Sequence, residues 1–349
     1  MLVLAMSCES MSSAEEPRDK SAESMTPPKA NARMQQILDA HASLNPKPIE
    51  SLSPEEARKQ PSPGDGVKAL LQKEGKPTDP EPVGNVADRN IPGAAGEIPA
   101  RIYTPKGNAP QGGFPVLLMI HGGGWVIATN DTYDSSNRAI CNAAMCVVVS
   151  PEYRKGPEAK FPAAHEDTYA AYKWLTKNAG EIQGDPKRIG VGGESAGGNM
   201  AAVISMRARD DGMQKPVHQL LVYPVASINP ADPSMQRNMN AKPLNVPMLK
   251  WFGQHYFTSP ADGEKPWITL VNATNLKDLP PATVITCDID PLMSGGKNYA
   301  DMLKKAGNDV RYRNWTGVTH EFFGMGAALP EAKEAVGYAA DGLKGSFKK

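Results

Sequence analysis

From about Val83 onward, short apolar runs alternate with longer stretches whose apolar positions lie three and four residues apart. Continuous apolar runs bounded by turn residues read as buried strands, and the three-and-four spacing reads as helix. "VGNVADRNI" and "EIPARIYTP", joined by the glycine-rich turn "PGAAG", predict a pair of strands. "PVLLMI" (115–120), "CVVVSPEY" (146–153), "RIGVGG" (188–193), "VHQLLVYP" (217–224), "ATVITC" (282–287) and "DVRYRNW" (309–315) predict six more. Helices are predicted over 163–178, with Ala164, Tyr169, Tyr172, Trp174 and Leu175 facing inward, and over 196–209, 295–306 and 331–345. Eight strands alternating with helices imply an α/β fold, its mostly parallel sheet covered by helices on both faces.

Two regions stand outside this alternation. "NARMQQILDAH" (31–41) has Met34, Ile37, Leu38 and His41 at helical spacing, and weaker helices are predicted over 54–60 and 65–73. Residues 226–265 are rich in Pro, Asn and Met and contain "MLKWFGQHYF" (248–257), which reads as an insertion between sheet strands. With the N-terminal helices it predicts a helical cap over the carboxyl edge of the sheet. The chain therefore divides into a tether over 1–30, cap helices over 31–75, and a catalytic domain over 76–349 with a cap insertion at about 226–265.

The 349 residues suffice for one large domain, and 40% apolar residues supply its core. Lys plus Arg and Asp plus Glu both number 38, so nothing favours nucleic acid or another polyanion as a partner. No apolar run approaches the length of a membrane-spanning helix. Cysteines occur at 8, 141, 146 and 287, without zinc-type spacing; the last three read as buried free thiols, and no metal is expected. The start, "MLVLAMSC", is like the end of a bacterial lipoprotein signal, although it lacks a basic n-region. It predicts a lipid anchor at Cys8 and a cell-envelope location, with the polar segment Glu9–Ala30 as tether; the alternative is a cytoplasmic enzyme with a polar tail.

Chemistry enters with "GVGGESAGGNM", which holds G-x-S-x-G at Gly193–Gly197 between an apolar strand and a helix. That context is the one a nucleophile elbow requires, with small residues at Gly193, Ala196, Gly197 and Gly198 for the tight turn. Ser195 then stands at the amino end of a helix, where the dipole favours developing negative charge. A serine needs a base. Of the histidines at 41, 121, 165, 218, 255 and 320, only His320, in "WTGVTHEFF", follows the last strand. Asp288 and Asp290, in "CDIDPLM", both stand where the acid that orients that base belongs. The three glycines of "IHGGGWV" (120–126) then have a use: without side chains, the amides of Gly123 and Gly124 can approach a tetrahedral oxyanion, with Ala196 as the third donor. His121 is a structural residue of that loop.

Taken together, "HGGGW" (121–125), "PEYRKGPEAKFPAAHEDTYAAYKWL" (151–175), "GGESAGG" (192–198), "DPL" (290–292) and "THEFF" (319–323) make the chain resemble the hormone-sensitive-lipase-like carboxylesterases of the α/β-hydrolases. The resemblance spans about Val83–Leu343 and selects Asp290, because the family's acid precedes Pro-Leu. It implies an α/β-hydrolase fold with a helical cap and a triad of Ser195, Asp290 and His320. It further implies hydrolysis of short- to medium-chain esters without metal or cofactor, and a possible homodimer. The chain departs from the family's common pattern at Glu194, at Met293-Ser294-Gly295 and at Glu321, beside His320. Trp125 is expected on the alcohol side of the site, and Tyr223, Trp251, Phe252, His255 and Tyr256 are candidate pocket residues. The same triad would serve an amidase, thioesterase or lactonase, and a non-catalytic ligand-binding protein is the remaining alternative.

Overall fold

The computed structural model describes residues 26–348, so Cys8 and the signal-like start lie outside the described residues. The eight strands are β1 (Asn85–Gly93), β2 (Gly96–Thr104), β3 (Phe114–Ile120), β4 (Val147–Pro151), β5 (Gly184–Glu194), β6 (Gln219–Val222), β7 (Ala282–Ile289) and β8 (Val310–Thr319). They form one sheet in the order β1-β2-β4-β3-β5-β6-β7-β8. β1 pairs antiparallel with β2, and β2 antiparallel with β4. From β4 to β8 every pairing is parallel.

The helices are α1 (Ala32–Ala42), α2 (Pro54–Ala57), α3 (Pro63–Lys73), α4 (Asp134–Ala144), α5 (Ala163–Asn178), α6 (Ala196–Asp210), α7 (Pro233–Arg237), α8 (Val246–Tyr256), α9 (Met293–Lys305) and α10 (Pro330–Phe347). The central strands feed two cores. Side chains alternate across a strand, so Val116, Leu118 and Ile120 of β3 join Tyr172, Met200 and Leu303 from α5, α6 and α9. Leu117 and Met119 enter the opposite core with Ile140 of α4 and Val336 of α10. Because both faces are covered, all seven residues of β3 are buried, which is why its sequence is apolar without alternation.

Three features differ from the sequence pattern. The helix α4 was not expected, because "DSSNRAICNAA" is rich in Ser and Asn. It is held by tertiary packing of Ile140, Cys141 and Ala144 and ends on Met145 in the left-handed region. Trp174 is only partly buried, with the guanidinium of Arg89 5.1 Å from its ring centroid. β8 runs to Thr319 rather than ending near Trp315, through an irregularity opposite Cys287–Ile289 that uses Gly317 at φ 72°.

That irregularity is where α1 docks. The amide of Asn31 donates to the carbonyl of Gly317 at 2.8 Å, and the Asn31 side chain caps α1 through the amide of Met34. Met34 is fully buried and lies against the hydroxyl of Thr319, the residue before His320. Met34→Ala should therefore cost about 2–5 kcal/mol of stability, read as a lowered denaturation midpoint; an unchanged midpoint would mean that α1 does not brace β8.

Candidate active site

β5 ends at Glu194 and α6 begins at Ala196, so Ser195 alone makes the turn, at φ 57° and ψ −118°. A side-chain-bearing residue at positive φ is strained by roughly 1–3 kcal/mol and persists only where its surroundings fix it. Here the amide of Ser195 donates to the Val222 carbonyl at 2.9 Å, and its own carbonyl accepts from Val225 and Asn199 at 3.1 Å each. The neighbours are glycine for steric reasons. A Cβ on Gly197 would overlap the Ile120 carbonyl, and one on Gly193 would overlap the backbone of Gly197.

The parallel pairing of β7 and β8 delivers two more groups to the same edge. His320 Nε2 is 2.9 Å from Ser195 Oγ, and His320 Nδ1 is 2.7 Å from Asp290 Oδ2. A neutral ring with its proton on Nδ1 satisfies both contacts: it donates to Asp290 and accepts from the serine hydroxyl. Asp290 is fully buried, and its Oδ1 accepts from the Leu292 amide at 2.8 Å. Asp288 points elsewhere; its Oδ1 accepts from the Gly317 amide at 2.9 Å and so holds the β8 irregularity.

The acid loop is clamped by the insertion. Asn238, which ends α7, donates through Nδ2 to the carbonyls of Asp288 at 2.9 Å and Asp290 at 3.0 Å. Ser234 donates to the Pro291 carbonyl at 2.7 Å and accepts from the Ser294 amide at 2.9 Å. Sequence reasoning missed Asn238 and Ser234, because they sit in a segment with no apolar period.

The glycine run forms a loop after β3. Gly123, Gly124 and Trp125 are all at positive φ, 90°, 57° and 60°. Among the described residues the amides of Gly123 and Gly124 have no acceptor, and that of Ala196 is an unsatisfied donor at the start of α6. Tyr153 fixes the loop by donating to the carbonyls of His121 and Gly122, at 3.1 and 2.9 Å, while its ring stacks on His121.

Three carboxylates surround the His320 imidazole. Burial lowers its pKa, but Asp290, Glu321 and Glu194 outweigh that and raise it above the ordinary value. Burial also holds the Glu194 carboxyl up at about 8, and Glu194 accepts a hydrogen bond from Tyr223. The Tyr223 ring lies 4.5 Å from the His320 ring. Glu321 is raised by burial as well; it accepts from the Tyr133 hydroxyl at 2.7 Å and lies 3.9 Å from His320 Nε2.

Two cavities meet at Ser195. The larger, about 970 Å³, is walled by Gly123, Gly124, His320 and Glu321 and by residues of both cap segments, including Leu38, Pro48 and Met248. The smaller, about 30 Å³, is walled by Trp125, Val225, Ile228, Leu249, Phe252 and Phe257, and His320 is not part of it. Of the expected pocket residues, Phe252 lines both cavities and Trp125 lines the small one. The other four line neither. Tyr223 packs under His320. Trp251 donates to the Leu52 carbonyl at 3.0 Å, and His255 lies against the Trp251 ring. Tyr256 is bonded to His165 at 3.0 Å. The Trp251 indole thus ties α8 to the N-terminal segment, and the Tyr256 hydroxyl ties it to α5. Leu249, Ile228, Val225 and Phe257 were missed, since apolar pocket walls look like any core.

A family model described as the alpha/beta hydrolase fold matches residues 117–324. The chain is 38% identical over 275 residues to Esterase LipI of Mycobacterium tuberculosis, covering 78% of this chain and 86% of that protein. It is 30% identical to the ethyl acetate hydrolase of Pseudomonas putida, over 85% of this chain and 92% of that one. The solved structure of the Pyrobaculum calidifontis esterase superposes with a TM-score of 0.80 at 34% identity, covering 90% of this chain and 98% of that one.

The buried Glu194 sets a pH dependence. Its carboxyl ionises near 4.5 when unfolded but near 8 when folded, so the folded state holds an extra proton between those values. Stability is therefore lost as pH rises through that window, by up to about 1.4 kcal/mol per pH unit. Glu194→Gln removes the loss. Denaturant titrations from pH 5 to 9 should show the wild type weakening relative to the variant, and parallel curves would contradict this.

Proposed function

The chain belongs to the hormone-sensitive-lipase-like family of the α/β-hydrolase fold and is a carboxylic ester hydrolase, and from that premise we propose that Ser195, His320 and Asp290 cleave short-chain esters through an acyl-enzyme. The observation that carries the reading is the continuous hydrogen-bonded line from Asp290 through His320 to Ser195, at the floor of a cavity. His320 Nε2 takes the Ser195 proton as Oγ bonds to the ester carbonyl carbon. The oxyanion rests against the amides of Gly123, Gly124 and Ala196, aided by the α6 dipole. His320 then returns the proton to the leaving alcohol, and water, activated by the same ring, releases the acid. Asp290 keeps the ring in the right tautomer and stabilises the imidazolium.

The two cavities assign the two halves of the ester. The leaving alcohol must face His320 Nε2, and His320 walls only the large cavity. The acyl group then enters the small one. A cavity of about 30 Å³ is room for roughly two waters, and so for an acetyl or propionyl chain. The name of the Pseudomonas putida relative, ethyl acetate hydrolase, agrees with so short an acyl group. The same proposal includes a lipid anchor at Cys8, resting on the lipoprotein-like start, and a homodimer, resting on the family resemblance.

With p-nitrophenyl esters from acetate to palmitate, turnover should peak at acetate to propionate. Ser195→Ala should lower kcat by about 10⁴-fold or more. Phe252→Ala, which opens the small cavity, should move the peak to longer chains. A wild-type peak at decanoate or beyond would refute the assignment of the acyl side. For the anchor, intact-mass spectrometry of protein from membranes should find diacylglycerol on Cys8; an unmodified Cys8 would rule it out.

A further inference from the structure

The floor of the large cavity carries one group that acyl transfer leaves unused. Glu321 follows His320 on a left-handed backbone, φ 71°, which favours glycine. Its side chain is 21% exposed, into the cavity that His320 also walls. The other charged residues lining that cavity are Lys29, Asp39, Lys47, Glu50 and Arg58 from the N-terminal segment and Lys242 from the insertion.

The distances give Glu321 a partner. His320 Nε2 is the atom that returns the proton to the alcohol oxygen, and Glu321 Oε1 is 3.9 Å from it. A carboxylate offers about four acceptor positions. The Tyr133 hydroxyl occupies one, at 2.7 Å, and aims the group; among the described residues Oε2 receives no hydrogen bond. When the ester's alcohol oxygen faces Nε2, a hydroxyl on the neighbouring carbon lies within hydrogen-bond reach of Glu321. Once a bound alcohol shuts out water, an acceptor that finds no donor is costly, so such a site disfavours an alcohol lacking that hydroxyl.

We propose that Glu321 determines specificity for the alcohol by accepting a hydrogen bond from a hydroxyl vicinal to the scissile ester. The preferred substrates are then short-acyl monoesters of vicinal diols and polyols. This deepens the esterase reading and rests on it. The large cavity gives such an alcohol space that the small one denies the acyl group.

The test compares kcat/KM for 2-hydroxyethyl acetate and 2-methoxyethyl acetate, which differ in the donor, with p-nitrophenyl acetate reporting acyl transfer itself. The wild type should favour the hydroxy ester about tenfold or more, the order of one charge-assisted hydrogen bond. Glu321→Gly, which suits the left-handed backbone, should bring that ratio to about one, while Glu321→Gln, whose amide oxygen still accepts, should keep part of it. If the wild type turns over p-nitrophenyl acetate but treats both acetates alike, the proposal fails and the esterase reading stands. If Glu321→Gly slows all three equally and only moves the pH profile, Glu321 tunes His320 and the proposal again fails. No turnover of any ester would remove both readings.

Discussion

The backbone of Ser195 is the constraint from which the rest of this molecule follows. A serine at φ 57° is unfavourable by itself, so the chain on either side must hold it there. β5 is locked between β3 and β6 by parallel pairing, and α6 leaves at once to pack on the sheet. Parallel strands share one direction, so the chain leaving β3, β5, β7 and β8 emerges at one edge. That edge receives the glycine loop, Ser195, Asp290 and His320 in turn. The antiparallel strands β1 and β2 extend the sheet and contribute no group to the site.

Helices must cover both faces of such a sheet, and this made the body legible in sequence. The runs that became β3, β4 and β7 are buried at nearly every position because they have no solvent face, and their residues are mostly apolar. Their ends then located Ser195 and His320, since the chemistry lies on the segment after a strand. Asp290 needed more. Asp288 and Asp290 are two residues apart, and spacing alone could not say which carboxylate turns toward His320. The choice depends on the β7–β8 irregularity, where the Gly317 amide takes Asp288, and on Asn238, which draws both loop carbonyls toward α7. Those contacts join residues far apart in the chain, and no local pattern records them. For the same reason α4, whose helix depends on tertiary packing, was not visible, and aromatic content picked out only Trp125 and Phe252 among the cavity walls. Trp251 and Tyr256 spend their polar atoms on structure, whereas Leu249 and Ile228 line the small cavity.

Around His320 the sequence supplies three carboxylates, and their surroundings separate them. Asp290 faces three donors, the imidazole N–H, the Leu292 amide and the Cys287 thiol. Glu194 is buried, and burial dominates, so it keeps its proton to about pH 8. A second full charge there would compete with Asp290 for the imidazolium. Glu321 falls between: it is desolvated, held by one tyrosine hydroxyl, and partly open to the cavity. Identical chemical groups thus take different parts because burial and donors differ from one to the next.

The glycines of the loop after β3 complete the link between sheet and insertion. A Cβ on Gly124 would overlap the ring of Phe252, from α8. The missing side chain therefore does two things at one position. It exposes backbone in the wall of both cavities, and it admits the aromatic ring that lines both. A side chain at residue 124 would displace Phe252, so on the proposed reading the loop that binds the oxyanion and the ring that limits the acyl chain cannot change independently. Asn238 couples the same insertion to Asp290 on the other side of the site. On the proposed reading the insertion thus bears on both the size of the acyl group and the alignment of the acid, which ties selection of the substrate to the geometry of its cleavage.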